Sequence, residues 1–203
     1  MILGIGGKAG AGKTTFAKVA AEYGFVQASF AQALKQEVVD FLKRTGTTYT
    51  LSNLYGTPEE KDKALRIRLL DVFKGVGGLT PDRWLYEVFR STTVRISGRH
   101  LLQLWGTEFR RENFGQEYWV RKLTDNLRKD LNYVIDDVRF SNESKIAAKT
   151  VLIVRPDFSI TRDDHKSEDF AKSYSNFSYV IHNDGTLKEY ITKCTEFVRN
   201  VNF

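Results

Sequence analysis

The sequence has 203 residues, a formal net charge of +6 and one cysteine, with 41% hydrophobic and 28% charged residues. This composition is typical of one globular domain and excludes a disulfide scaffold. No apolar run approaches the roughly 20 residues of a membrane-spanning helix, and no signal-peptide pattern precedes the first strand, so we expect a cytoplasmic protein without a membrane partner. Its basic residues are scattered among acidic ones, which argues against a stable nucleic-acid partner. Cys194 lies on a helical pattern and is expected in the core or at its boundary.

The first predicted elements are a strand over 2–6, a glycine-rich turn over 7–15 and a helix over 13–22. The turn has the spacing G-x-x-x-x-G-K-[ST], in which backbone N–H groups face phosphate oxygens. Lys13 supplies an ammonium group for the terminal phosphates, and Thr14 supplies a hydroxyl for a magnesium ion. The N-terminus of the helix favours the same anion. We therefore predict nucleotide binding, the alternative being a glycine-rich turn with an incidental lysine.

Strand-like and helix-like stretches alternate at both ends of the chain. Further strand patterns occur at 25–29, 133–138, 151–154 and 179–182. Helical patterns follow at about 31–44, about 117–130, 142–148 and 186–200. Short apolar strands that alternate with helices predict an α/β fold of about five parallel strands flanked by helices in three layers.

The middle of the chain, about 46–116, has a different pattern. Its predicted helices lie at 60–73, 83–91 and 101–112. An insertion of this length exceeds an ordinary crossover, so we expect it to cover a second substrate. The prediction is one domain, with a core of 1–45 and 117–203, this helical insertion, and a short lid at about 156–170.

Two groups of charged residues follow the predicted strands. Asp136 and Asp137 end an apolar strand, where one carboxylate could hold magnesium, although a turn or helix cap would need the same residue. Arg155 ends the next strand, and Arg162 lies in the polar segment after it. Arginines on a lid neutralise the charge of a transferring phosphoryl group, whereas a solvated charge run is the alternative. His165 is either an interaction residue or simply exposed.

Polar residues in the insertion suggest an acceptor site. Arg99, Gln103 and Arg110 fall near one helix face by i, i+4, i+11 spacing. Arginine suits phosphate and glutamine suits a base edge, although ordinary surface residues would look the same. Lys35, one turn into the second helix, could meet a second phosphate or be a plain surface lysine.

Together these stretches resemble the phage-type deoxynucleoside monophosphate kinases, relatives of adenylate and guanylate kinases in the P-loop nucleoside monophosphate kinase superfamily. Besides the glycine-rich turn, the resemblance rests on Phe30-Ala-x-x-Leu-Lys35, Arg99-x-x-Leu-x-Gln-x-x-Gly-Thr-Glu108, Trp119-Val120, Asp137-Val-Arg-Phe-x-Asn-Glu143, His165-x-Ser-Glu168 and Ile181-x-Asn-Asp-Gly-Thr-Leu187. It implies a P-loop kinase fold with a helical monophosphate-binding insertion and a short lid. We expect the insertion and the lid to close on substrate.

The resemblance also implies roles for individual residues. The loop would hold the phosphates of ATP through Gly7, Ala9, Gly10, Ala11, Gly12, Lys13, Thr14 and Thr15. Thr14 and Asp137 would position Mg²⁺, with Asp136 as the competing carboxylate. The monophosphate site would contain Phe30, Lys35, Arg99, Gln103, Arg110 and Arg139. The lid would contribute Arg155, Arg162, His165, Ser167 and Glu168. The adenine of ATP would lie near Asn183, Asp184, Gly185 and Thr186, and the catalytic charges would be Lys13, Arg139, Arg155 and Arg162.

The implied activity is transfer of the γ-phosphoryl group of ATP to a deoxynucleoside 5′-monophosphate (dNMP), in the host cytoplasm if the chain is phage-encoded. The alternatives are a P-loop kinase of another small acceptor such as dephospho-coenzyme A, a nucleic-acid-associated P-loop ATPase, and a non-catalytic P-loop protein. The sequence leaves open which bases are accepted and whether the chain forms a homodimer.

Overall fold

The structure, a computed structural model, describes residues 1–45, 47–72, 78–156 and 174–201. Its strands are β1 (Ile2–Gly6), β2 (Phe25–Ala28), β3 (Ala64–Arg68), β4 (Thr93–Ser97), β5 (Asn132–Ile135), β6 (Lys149–Val154) and β7 (Tyr179–His182). Its helices are α1 (Lys13–Glu22), α2 (Phe30–Arg44), α3 (Ser52–Tyr55), α4 (Pro58–Asp62), α5 (Pro81–Phe89), α6 (Gly98–Leu104), a π-helix (Trp105–Arg111), α7 (Glu112–Phe114), α8 (Tyr118–Thr124), α9 (Ser141–Ser144) and α10 (Leu187–Asn200), with a 3₁₀ turn at Tyr174–Asn176.

The chain divides into two compact units. The first unit comprises Met1–Phe30 and Val120–Phe203, and the second comprises Ala31–Trp119. The second unit therefore begins within α2 rather than at the predicted start of the insertion.

A five-stranded parallel sheet forms the centre of the first unit, in the order β2-β5-β1-β6-β7. Leu3 of β1 lies opposite Val134 of β5, and Ile5 lies opposite Val151 of β6. These four side chains are buried with the apolar face of α1 and with α10. Strands that are covered on both sides need apolar residues at successive positions, which is the pattern that the sequence shows. The predicted five-stranded α/β fold is confirmed.

Some predicted elements of this unit are longer than the observed ones. Strand β5 ends at Ile135 instead of Val138, and the carboxylates of Asp136 and Asp137 beyond it accept hydrogen bonds from Gln27 of β2 and from Ser29. The helix predicted at 117–130 ends at Thr124. The Asn126 side chain donates to the carbonyl of Lys122 and so caps the last turn.

The helix predicted at 60–73 in the second unit is wrong. Residues Ala64–Arg68 form β3, which pairs antiparallel with β4. Alternate residues of β3 are buried and exposed, as expected for a ribbon with one face on a core. The insertion is therefore not wholly helical.

A change of helix type interrupts the helix predicted at 101–112. Ser97 caps α6 through its side chain, and the α-helix continues to Leu104 before seven residues adopt π-helical geometry. In this stretch the indole of Trp119 donates to the carbonyl of Gly106 at 2.9 Å. The rings of Trp105 and Phe109 in this stretch contact each other edge-on, with centroids 5.1 Å apart. All three tryptophans of the chain, Trp84, Trp105 and Trp119, are buried.

The structure also bears on the predicted burial of Cys194 and on membrane-spanning helices. Cys194 is buried, and burial raises the pKa of its thiol to about 11, consistent with a core residue. Within the described ranges, no helix combines the length and apolar character that crossing a membrane requires.

Candidate active site

The glycine-rich loop connects β1 to α1, where the sequence predicted it. Gly7 has φ of +141°, and a Cβ there would lie 2.5 Å from the carbonyl oxygen of Ile153. Gly12, with φ of +112°, occupies the N-cap position of α1 and supplies no capping side chain. The first turn of α1 also contains no acidic residue. A helix N-terminus without a capping side chain or an acidic residue suits an anion.

The ammonium group of Lys13 lies against this loop. Its Nζ donates to the carbonyl of Gly7 at 2.7 Å and to that of Lys8 at 2.8 Å. The loop thus holds the lysine on its own backbone. Thr14 is exposed on the first turn of α1.

Two side chains from the C-terminal part of the first unit fix the backbone of the loop. Asn183 Nδ2 donates to the carbonyl of Ala11 at 2.8 Å, and Tyr190 Oη donates to that of Gly12 at 3.0 Å. A Cβ at Gly12 would lie 2.9 Å from Asn183 Nδ2 and 2.9 Å from Tyr190 Cε1, so only glycine leaves room for both. Burial raises the pKa of Tyr190, which therefore stays protonated as a donor. The pair sets the loop conformation.

The hydrogen bond from Tyr190 to the loop backbone predicts an effect of Tyr190→Phe on ATP binding. The variant loses one hydrogen bond to Gly12, worth about 1 kcal/mol, and we expect KM for ATP to rise about fivefold with little change in kcat. Tyr23→Phe is the matched control, since Tyr23 Oη accepts from Arg199 away from the loop. Steady-state kinetics with varied ATP would measure both. An unchanged KM in Tyr190→Phe would contradict the positioning role.

The two aspartates after β5 have different partners. Asp137 accepts from Ser29 Oγ at 2.8 Å and from the backbone N–H of Phe30 at 3.1 Å, which fixes the start of α2. Asp136 accepts from Gln27 Nε2 at 3.1 Å. Burial raises the pKa of Asp136, and the charge of Asp137 adds to this, while Lys13 acts in the opposite direction. Asp136 therefore interacts electrostatically with the loop lysine.

The turn after these aspartates is held by Glu143. Its buried carboxylate accepts from the backbone N–H groups of Arg139 at 2.7 Å and of Phe140 at 3.1 Å. The backbone of Arg139 is thus fixed while its side chain is exposed.

A polar cluster in the second unit centres on Glu37 of α2. Its carboxylate accepts from Arg110 Nε at 2.8 Å, from Trp105 Nε1 at 3.2 Å and from Tyr118 Oη. Burial tends to raise the pKa of Glu37, but the hydrogen bonds of Tyr118 and Trp105 and the charge of Arg110 outweigh it, so the pKa is lowered. Burial and the bond to Glu37 together raise the pKa of Tyr118 to about 12. Glu37 is ionised and Tyr118 is a donor.

Aromatic rings surround the guanidinium group of Arg110. The distances from its Cζ to the ring centroids are 4.5 Å for Phe109, 4.9 Å for Phe114 and 5.0 Å for Tyr118. Its side chain is 18% exposed. Ring faces and one carboxylate hold this cation in a single place.

Two other predicted acceptor residues of the second unit, Arg99 and Lys35, have different recorded partners. Arg99 Nε donates to Asp62 at 2.6 Å, and Lys35 Nζ lies 4.7 Å from the ring centroid of Tyr55. Gln103 is half-buried on α6. The prediction of one helix face for Arg99, Gln103 and Arg110 assumed a continuous α-helix, and it is wrong because the π-helix breaks that spacing before Arg110.

Some of the remaining predicted residues lie in the described parts of the chain and the others do not. Asp184 pairs with Lys193 at 2.6 Å, and Thr186 caps α10 in a reciprocal pair with Glu189, so the turn that includes Gly185 is built into a helix start. Arg155 is exposed at the end of β6. Arg162, His165, Ser167 and Glu168 lie outside the described residues, as does most of the predicted lid.

The sequence did not reveal the residues whose side chains hydrogen-bond to the predicted site residues and fix their positions. Glu37, Tyr118 and Tyr190 had no local signal, because their partners are distant in the chain. Glu143 was part of a motif, and its spacing from Phe140 matches the N3 position of a capping box, which could have indicated its role.

A parallel α/β sheet whose first strand leads into a G-x-x-x-x-G-K-[ST] loop defines the P-loop kinase fold. The dephospho-CoA kinase of Campylobacter jejuni shares the fold, with 13% identity and a TM-score of 0.52 over 98% of this chain and 96% of its own. TT1252 from Thermus thermophilus aligns over 100% of this chain and 98% of its own, with 18% identity and a TM-score of 0.48.

The family model for deoxynucleotide monophosphate kinase matches residues 82–194, more than half of the chain, and the chain therefore belongs to this family. The chain is also similar to the Acanthamoeba polyphaga mimivirus protein named "Putative deoxynucleotide monophosphate kinase". The two sequences are 27% identical, and the alignment covers 100% of this chain and 98% of the mimivirus protein. Membership of the family makes the chain a phosphotransferase, a nucleotide-binding kinase of deoxynucleoside monophosphates.

Proposed function

We propose that the chain transfers the γ-phosphoryl group of ATP to a dNMP and releases the deoxynucleoside diphosphate. The observation that carries this proposal is the loop of the first unit, in which an ammonium group, glycines with positive φ and an uncapped helix N-terminus occur together. These are the features that a triphosphate tail needs. Family membership supports the monophosphate as acceptor.

The first unit binds ATP in this proposal. Residues Gly7 to Thr15 surround its phosphates, and Lys13 exchanges the carbonyls of Gly7 and Lys8 for phosphate oxygens. Asn183 to Thr186 lie beside the adenine. Of these, Asn183 also fixes the loop, which links recognition of the base end to the shape of the phosphate cradle.

The donor set of this unit fits Mg²⁺. The half-buried carboxylate of Asp136 has a raised pKa beside a second carboxylate, so a divalent cation would relieve both the burial cost and the repulsion. Carboxylate, hydroxyl and water oxygens are the ligands that Mg²⁺ prefers. Thr14 and Asp136 or Asp137 would hold the ion, directly or through water. Bound there, it neutralises charge on the transferring phosphoryl group.

The second unit binds the dNMP in this proposal, with Lys35, Arg99, Gln103 and Arg110 as its polar residues. Arg110 already has its Nε bound to Glu37, which leaves the two terminal nitrogens of a fixed fork for a phosphate or base oxygen. Phe30 and Arg139 of the first unit are also proposed to bind substrate. The acceptor is an anion at neutral pH, so orientation and charge compensation replace a strong general base.

Charge on the transferring group is compensated by Lys13, Arg139, Arg155 and Arg162, and His165, Ser167 and Glu168 belong to the same substrate-covering segment. Water must be kept from the γ-phosphate, since hydrolysis would compete with transfer. We place the enzyme in the cytoplasm, which is the host's if a phage encodes it.

The acceptor profile tests the proposal. A coupled assay with ATP and Mg²⁺ would be run with each of the four common dNMPs, the matching ribonucleotides and dephospho-coenzyme A. We expect turnover with at least one dNMP. Turnover with dephospho-coenzyme A alone, or ATP hydrolysis that only nucleic acid stimulates, would overturn the assignment.

The two aspartates give a paired prediction for stability and activity. Folding raises the pKa of Asp136, so ionising this carboxyl lowers the free energy of unfolding. The cost is absent below the pKa of the unfolded chain, near 3.8, and it grows as the pH rises through the pKa of the folded protein. Asp136→Asn should therefore raise the free energy of unfolding at pH 7 but not near pH 4, while turnover falls about 10- to 100-fold.

Asp137→Asn is the contrasting variant. It weakens the hydrogen bonds to Ser29 and Phe30, so unfolding free energy should fall by about 1–2 kcal/mol at pH 7. Urea unfolding at both pH values would measure the two variants. A loss of stability in Asp136→Asn at pH 7 would contradict this account.

A further inference from the structure

The β3–β4 ribbon of the second unit has one apolar face and one strongly basic face. Its buried side consists of Leu65, Ile67, Val94 and Ile96. The register places Arg66 directly opposite Arg95, and Arg68 opposite Thr93. All three arginines are exposed, and the remaining positions of this face are Ala64 and Ser97, so no acidic residue belongs to it.

The spacing of the three arginine positions on the ribbon follows from strand geometry. Arg66 and Arg95 have Cβ atoms roughly 5 Å apart as directly opposed residues. Arg68 follows Arg66 on the same face at about 6.6 Å along the strand. Three positive charges thus lie within a small area of the ribbon.

These arginines differ from others on the surface. Arg90, Arg99 and Arg128 each pair with a carboxylate. Within the described part of the chain, the side chains of the three arginines of the ribbon have no hydrogen-bonded or ion-paired partner. Like charges directly opposite one another on a ribbon destabilise it, so the isolated fold gains nothing from this arrangement.

We propose that this arginine face, Arg66, Arg68 and Arg95, binds the sugar-phosphate backbone of single-stranded nucleic acid. Guanidinium forks bind phosphate oxygens bidentately, and a hydroxyl such as that of Thr93 is a common additional phosphate donor. Charges repeated along and across a strand match a chain of phosphates better than a single one. The sequence suggested scattered charge because Arg95 lies far from Arg66 and Arg68, and only strand pairing brings them together.

Fluorescence anisotropy of the full chain with a labelled mixed-sequence DNA oligonucleotide of about 20 nucleotides tests this face. We expect binding at low salt, with a slope of log K against log salt near −2 for three phosphates. R66Q/R68Q/R95Q should lower affinity at least about tenfold and flatten the slope. The matched control K129Q/K145Q/K188Q removes the same charge from exposed sites of the first unit and should bind as the unmodified chain does.

Other outcomes would overturn the proposal. These are absence of DNA binding by the unmodified chain, equal binding by the triple arginine variant, an equal loss in the lysine control, and displacement by polyglutamate as effective as by unlabelled DNA. A raised KM for dNMP with unchanged DNA binding would place the arginines in the acceptor site instead. The variant should hold or raise the urea midpoint, because it removes opposed like charges, and it should keep the dNMP turnover of the unmodified chain. A failure of the kinase proposal would therefore appear separately, as absent turnover in every variant.

Discussion

Lys13→Ala should lower kcat/KM for phosphoryl transfer by about 10²- to 10³-fold, equivalent to about 3–4 kcal/mol of lost transition-state stabilisation. The ammonium group of Lys13 is held by the carbonyls of Gly7 and Lys8, so it is already placed at the loop before any phosphate arrives. Alanine removes the charge while leaving the glycine backbone that shapes the loop. Steady-state kinetics with ATP and the preferred dNMP would give the ratio.

A neighbouring lysine provides the control for this experiment. Lys18 lies exposed on the same helix, and Lys18→Ala should keep nearly full activity. Circular dichroism should show that both variants fold. If Lys13→Ala kept full turnover, or if its loss were matched by Lys18→Ala, the loop would not be the phosphate site.

Glu37→Ala should lower the free energy of unfolding by about 2–4 kcal/mol. The substitution leaves three donors without their acceptor, on Arg110, Trp105 and Tyr118. Glu37 and Arg110 are only 14% and 18% exposed, so water replaces the carboxylate poorly. Urea unfolding at pH 7 would measure the loss.

The pH dependence of this effect has a definite sign. Folding lowers the pKa of Glu37, so its contribution is present above the unfolded value of 4.5 and is lost as the pH falls through the folded value. The difference between the unmodified chain and Glu37→Ala should therefore shrink in acid.

An exposed ion pair of the same unit is the matched control. Glu87 pairs with Arg90 on the surface, and Glu87→Ala should cost no more than about 1 kcal/mol. A double variant, Glu37→Leu with Arg110→Met, should lose less stability than the sum of its single variants, since no charge is left unpaired. Equal losses for Glu37→Ala and Glu87→Ala would contradict a structural role for the cluster.

The parts of the molecule that sequence reasoning found are those encoded locally. The apolar run of β1, the glycines of the loop and the helical spacing of α1 are consecutive, so each residue type has its reason within a few positions. The parallel strands were found for the same reason, since a strand covered on both faces is a continuous apolar run.

The parts that were missed depend on distant partners. The ribbon pairs Ala64–Arg68 with Thr93–Ser97, and five alternating residues give too short a signal to outweigh a helical reading. Glu37 meets Arg110 and Tyr118 across 73 and 81 positions of the chain. No local pattern records such contacts, and a carboxylate in the middle of α2 looks like any exposed helix residue.

The most direct test of the central claim follows the phosphoryl group itself. ATP radiolabelled in its γ-phosphate would be mixed with the enzyme, Mg²⁺ and each dNMP in turn, and the products separated by chromatography. The account predicts that the label appears in the β-phosphate of a deoxynucleoside diphosphate, and that Lys13→Ala slows its appearance. Label that stays in ATP or appears only as free phosphate with every dNMP would contradict it.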